Sequence, residues 1–215
     1  MLDRILSYLP ALLNGAEITL GISALAIALG FLGGVSLCSM RNTSNRVLTH
    51  ACDIYISFFR GTPMLVQLLM LFYIPPALGL DLNPYLAAIL ALGMNSSAYQ
   101  AEILRAGFIS IPVGQKEAAH IMGLNMRQTL WHIEIPQVVR RTLPSLISEM
   151  GDIIKGSAII SVITVTDLMR AGRQIVSTNY RPLEVFLIVG IFYLVLVSLI
   201  QISGKIVENR WRNRI

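Results

Sequence analysis

At 215 residues, with 54% apolar and only 13% charged side chains, the chain has the length of one domain and is too apolar to have water as its main solvent. The net charge of +5 comes without aromatic–basic interleaving, and its distribution follows membrane topology, which excludes nucleic acid as a partner. Cys38 and Cys52 are expected near the cytoplasmic face, which excludes a structural disulfide, and no histidine stands at ligand spacing to them.

In chain order, Met1–Leu13 is too short and too polar for a cleavable signal. Ile5, Leu6, Leu9, Leu12 and Leu13 fall near helical spacing, which predicts a short amphipathic helix on the outer surface. Ile18–Met40 then carries no charge and is long enough for a first span, since about 20 apolar residues cross a bilayer core. Residues 41–46 (Arg-Asn-Thr-Ser-Asn-Arg) form a polar turn. The second span, Gly61–Leu80, follows an amphipathic stretch from Cys52 and a kink or break at Arg60-Gly61-Thr62-Pro63. Pro75 to Pro84 forms an outer loop, and Leu82–Ala101 is the third span, ending near Glu102 and Arg105.

Residues 106–140 are too polar to span. Pro112 suits a helix first turn and Gly123 a helix stop. Asn125-Met-Arg-Gln128 has the form of a capping box for a second short helix, with Pro136 expected at its end. Thr142–Thr166 is the fourth span despite Glu149, Asp152 and Lys155, whose charges must face protein or a cavity. Asp167–Arg181 is an outer segment with a short interfacial helix, and Val185–Gly204 is the fifth span.

Arg41 and Arg46 follow the first span; Lys205, Arg210, Arg212 and Arg214 follow the last. Positive residues mark the cytoplasmic side, so the ends of the first and last spans both lie inside and the number of spans, counted from first to last, is odd. The expected fold is therefore an all-α membrane protein with five transmembrane helices, N-terminus out and C-terminus in, as a single domain over 1–215. Arg4, Arg170, Arg173 and Arg181 then fall outside.

The sequence contains no phosphate loop, His-Glu-x-x-His helix or nucleophile elbow, which argues against nucleotide binding by that device and against hydrolysis in the membrane. His50, His120 and His132 read as surface residues. The informative pattern is Glu117-Ala118-Ala119, three residues, Gly123, nine residues, then Ile133-Glu-Ile-Pro136. It resembles the Glu-Ala-Ala loop of ATP-binding-cassette importer permeases, departing from it only by Ile135 at a Leu position. The resemblance implies a type I importer core in which 106–140 couples to ATPase subunits through Glu117, Ala118, Ala119 and Gly123. Small alanines let a helix enter a partner's cleft, and Glu117 offers a charge to pair there.

A second set is similar to polar amino-acid permeases. It comprises Phe58-Phe-Arg-Gly-Thr-Pro63 with Gln67, Asn95-Ser96-Ser-Ala-Tyr99, Ala101-Glu102, and Ser110-Ile-Pro-x-Gly-Gln115. That resemblance covers nearly the whole chain. It implies pairing with a second permease chain, in a homodimer or heterodimer, within the bacterial inner membrane. An extracytoplasmic amino-acid-binding protein would deliver the cargo, and ATP and Mg would be held by the ATPase subunits, with no cofactor in this chain. Substrate contacts are expected at Gln67, Asn95, Ser96, Tyr99, Glu149 and Asp152. Asn95–Ser97 serve equally well for helix packing, and Tyr99 as a core tyrosine.

At about 100° per residue, Glu149, Asp152 and Gly156 share a helix face, with Lys155 off it. In the resembling permeases the Glu position and an Asp at the place of Gly156 contact the cationic parts of the substrate. Here either a partner chain supplies the missing carboxylate or Asp152 takes it over; alternatively Asp152 and Lys155 simply pair. The alternative function is a secondary carrier or channel that needs no ATPase.

Overall fold

Polar and apolar side chains are distributed the wrong way round for a protein in water. Gln67, Asn95, Ser96, Gln100 and Glu149 are at most 8% exposed, whereas Leu32, Leu187 and Leu194 are more than 60% exposed. A hydrocarbon solvent produces this inversion, because polar groups then find partners only inside.

The computed structural model describes residues 2–212 and the side chains of residues 6–210. Its described residues fold into helices without a strand: α1 (Leu2–Arg41), α2 (Arg46–Gly61), α3 (Met64–Ala77), α4 (Pro84–Ile109), α5 (Val113–Ile121), α6 (Met126–Thr129), α7 (Ile135–Gly156), α8 (Leu168–Asn179) and α9 (Pro182–Arg212). α1 and α9 are each long and apolar enough to cross a membrane, and α2 with α3 form a third candidate bent by 110°. α4 and α7, of 26 and 22 residues, reach about 39 and 33 Å at 1.5 Å per residue. The polar side chains of α4 lower its hydropathy but point largely into the bundle, with Asn95, Ser96, Ser97 and Gln100 buried. Those of α7 divide between buried Thr142 and Glu149 and exposed Arg140, Arg141, Ser148, Asp152 and Lys155.

The long α1–α4 contact organises the bundle. A Cβ at Gly30, Gly33 or Gly34 would lie 2.7–2.8 Å from a side-chain carbon of Ser96, Ser97 or Gln100. The absent side chains let the two backbones approach, as small residues do between membrane helices. One core joins Ile22 and Ala26 of α1 to Leu68 of α3, Ala88, Ala91 and Leu92 of α4, and Ile153 of α7. A second joins Leu12 and Ala16 to Leu168 and Ala171 of α8 and Val185 and Val189 of α9.

Three expectations change. The amphipathic segment before the first span is not a separate surface helix: α1 runs unbroken through Pro10. Its apolar side chains Leu12 and Ala16 are covered by α8 and α9 instead of lipid headgroups. Pro136 does not end the second short helix. A π-helical stretch, Leu130–Glu134, leads directly into α7, with Pro136 in its first turn. Proline lacks an N–H and its ring crowds the carbonyl four residues back; the widened turn before it accommodates both. The fourth predicted span narrows at its far end, where α7 stops at Gly156 and a 3-10 turn covers Ser157–Val162. Arg4, Ile5, Arg212 and Arg214, on which part of the charge and amphipathicity reading rests, lie outside the described side chains.

Helix starts are capped by side chains, at Asn125 as expected and at three further positions. Asn45, Asn83 and Asp167 cap α2, α4 and α8 through their side chains. The Asn125–Gln128 capping box is complete in both directions, each hydrogen bond measuring 2.9 Å.

Candidate functional site

The residues singled out by sequence separate into three places. The first is the helix–turn–helix of 113–134. α5 ends in a Schellman arrangement in which the Gly123 N–H donates to the His120 carbonyl and the Leu124 N–H to that of Ala119, both at 3.0 Å. Gly123 has φ +79°, a left-handed conformation that glycine adopts without steric cost. Ala119 is buried, while Glu117 and Ala118 face outward. Beside them Ile121, Met122 and Met126 are 81–91% exposed. Lys116 pairs with Glu134 at 3.0 Å, and Gln137 donates to Gln115 at 2.7 Å. These contacts tie α5 to the following helix. The result is a firmly held knob with an acidic side chain, a small side chain and an uncovered apolar surface.

The second place is the turn between α2 and α3. Pro63 cannot donate to the carbonyl of Phe59 four residues earlier. Gln67 Nε2 donates to that carbonyl at 2.9 Å and Asn95 Nδ2 at 3.0 Å. Gln67 Nε2 also reaches the Thr62 carbonyl at 3.0 Å and Thr62 Oγ1 at 2.8 Å, and its own Oε1 accepts from Asn95 at 2.9 Å. Both amides are therefore engaged inside the protomer. Just before the turn, the Arg60 guanidinium stands 5.4 Å from the centre of the Tyr99 ring, so Tyr99 also has a partner.

The third place is α7. Glu149 turns inward, where Ser96 Oγ donates to Oε1 at 3.1 Å and Gln100 Nε2 donates to that hydroxyl at 2.9 Å. Asp152 does not join it. Its carboxylate points outward and meets Lys155 Nζ at 2.7 Å, with side chains 62% and 57% exposed. Lys155, expected off the shared face, is thus within reach of that face. A Cβ added at Gly156 would lie 3.3 Å from the Met64 sulfur, so the thioether of α3 occupies the space into which a side chain at 156 would grow. This contact between α3 and α7 was not legible in the sequence.

Another convergence was also missed. Glu102 pairs with Arg41 of α1, with Arg105 at 2.8 Å and with Arg60 at 3.6 Å, and Arg41 also meets Asp53 at 2.5 Å. The Arg105 hydrogen bond holds the Glu102 carboxyl below its ordinary range, against the effect of burial and with Arg41 adding to the same direction.

Known proteins are similar to the chain over nearly its whole length. The family described as binding-protein-dependent transport system inner membrane component matches residues 10–213. The arginine transport system permease protein ArtQ of Bacillus subtilis is 35% identical, with 95% of this chain and 94% of that one covered. The glutamine transport system permease protein GlnP of Escherichia coli is 33% identical over the same shares. Among solved structures, the crystal structure of an amino acid ABC transporter with histidines contains a chain 34% identical, with a TM-score of 0.91, covering 96% of this chain and 97% of that one.

Proposed function

The chain belongs to the family of binding-protein-dependent transport system inner membrane components, and from that premise we propose that it carries a polar amino acid across a bacterial inner membrane. It is a permease subunit of an ATP-binding-cassette importer, a transport component and not a catalyst. In the proposed assembly, two such permease chains form the path and two ATPase subunits supply ATP hydrolysis. An extracytoplasmic binding protein delivers the cargo. Five crossings are assigned to α1, α3, α4, the α7 segment and α9, with the N-terminus outside and the C-terminus inside. α2 then lies along the cytoplasmic face.

The observation that carries this reading is the knob at Glu117–Gly123. Ile121, Met122 and Met126 are almost bare in a segment too polar to enter lipid. An ATPase cleft that takes Glu117, Ala118, Ala119 and Gly123 would cover them, and a stand-alone carrier or channel has no use for such a surface.

Cargo contact is assigned to the α7 face. Asp152 and Lys155 are exposed on a helix placed in the membrane, where a charge facing lipid is costly. They therefore border the polar path between the permease chains, with Glu149 and its Ser96 hydrogen bond further in. A carboxylate there attracts the cargo ammonium, so cationic and zwitterionic amino acids are preferred over acidic ones.

Glu149→Gln tests this assignment in proteoliposomes holding the complete importer. The amide retains an acceptor for Ser96, so assembly and basal ATP hydrolysis persist. Uptake falls by about tenfold or more as the charged contact is lost. Unchanged uptake and unchanged preference among amino acids would remove Glu149 from the path.

A further inference from the structure

The geometry of the α2–α3 turn points to a role for Gln67 and Asn95 different from cargo contact: we infer that the two amides are positioning residues that hold a rigid elbow. In a membrane, a carbonyl freed by a helix break has no water to turn to. Pro63 frees the Phe59 carbonyl, and the break also leaves that of Thr62 without a helical donor. Gln67 stands one turn into α3, 2% exposed, and its Nε2 serves both carbonyls and Thr62 Oγ1 within 3.0 Å. Asn95 adds the second donor to Phe59 from α4 and orients Gln67 through its Oε1. Every hydrogen of the Gln67 amide thus faces an oxygen of the elbow, leaving none for a passing cargo.

α4 supports the same elbow at two further points. Tyr55 of α2 hydrogen-bonds Ser97 at 2.8 Å and donates to the Met94 carbonyl at 3.0 Å. Arg60, the third residue before Pro63, meets Glu102 and the Tyr99 ring. The elbow is consequently fixed to α4 as one body and does not act as a hinge between α2 and α3. Its consequence lies at the start of α3, where Met64 is delivered against Gly156, beside the α7 face assigned above to the path. Gln67 and Asn95 set the position of that wall without touching what passes along it.

The test uses the full importer in lipid, with Cys38→Ala and Cys52→Ser removing the native thiols. Spin labels are placed at the exposed positions 54 of α2 and 73 of α3. The structure requires a narrow distance distribution that does not change with ATP. Gln67→Met and Asn95→Leu each broaden it, and the double variant is little broader than the worse single one because the two amides share bonds. Thr62→Val, a near-isosteric change at the edge of the network, broadens it less and serves if the buried variants fail to assemble.

Uptake of labelled arginine falls about tenfold in Gln67→Met, the scale set by a buried carbonyl left unpaired. The degree of competition by unlabelled glutamine stays as in the wild type. A wild-type distance distribution in Gln67→Met or, failing its assembly, in Thr62→Val overturns the inference. So does altered arginine–glutamine competition with an unaltered distribution. The uptake arm rests on the amino-acid importer reading, whereas the distance arm needs no cargo and separates failure of the elbow from failure of that reading.

Discussion

Glu102 shows what a single side chain does at one end of the bundle. It is 19% exposed and gathers Arg41 from α1, Arg60 from α2 and Arg105 from its own helix. Because its folded-state pKa is depressed, led by the Arg105 hydrogen bond, its stabilising contribution is present at neutral pH. That contribution is lost only as pH falls below the ordinary carboxylate range and through the depressed value. Glu102→Gln leaves three guanidinium groups without their shared anion. At neutral pH it should destabilise the purified complex by about 1.5–3 kcal/mol, the scale of hydrogen bonds to charged groups. Thermal unfolding followed against pH should show the two proteins converging in acid. Equal melting at neutral pH would contradict this role. The sequence presented Arg60 within a break, and Glu102 and Arg105 at the end of the third span. Their meeting was not legible, because it depends on how α1, α2 and α4 pack. The elbow was partly legible: the break at Arg60-Gly61-Thr62-Pro63 was expected from its proline, whereas Gln67 and Asn95 were read as cargo contacts because their bonds to the freed carbonyl depend on packing.

Among the elements, the α1–α4 contact depends on what α1 lacks. Gly33→Ala would place a Cβ 2.8 Å from the Ser97 Cβ, forcing the helices apart at a cost of about 1–3 kcal/mol. Gly21, on the same helix, has nothing within 4 Å of an added Cβ. Gly21→Ala should therefore be neutral or stabilise by up to about 1 kcal/mol, as helix propensity alone requires. Thermal melts of the two variants should move in different directions, and equal shifts would refute the close-approach account. The helix start at Asn125 was legible because a cap is a local, stereotyped hydrogen bond. Pro136 misled because a proline's effect depends on its surroundings, and a π-helical turn before it absorbs the lost bond. The segment before the first span misled because its apolar side chains Leu12 and Ala16 meet α8 and α9. Glu117, Ala118, Ala119 and Gly123 stay together in space because their spacing describes a local helix–turn unit. Glu149 and Asp152 diverged because a shared helix face does not dictate whether side chains reach the same neighbour.

Across the whole molecule, the polarity inversion follows from composition, and the charge-free blocks located its most lipid-like helices. α7 was harder to place because Glu149, Asp152 and Lys155 interrupt the apolar run of the fourth span, whereas α4 followed from the charge-free block Leu82–Ala101. The placement of those polar groups, the bare apolar knob and the family relationship make one account, in which movements of the ATPase subunits are delivered to the membrane helices through α5. Its most direct test is the reconstituted importer carrying Glu117→Arg. Glu117 faces outward and buries no charge within the chain, so the subunit should fold and insert normally. Reversing its charge at a docked site costs several kcal/mol. The account predicts that amino-acid uptake and its stimulation of ATP hydrolysis by the binding protein collapse while basal hydrolysis persists; wild-type uptake by this variant would contradict it.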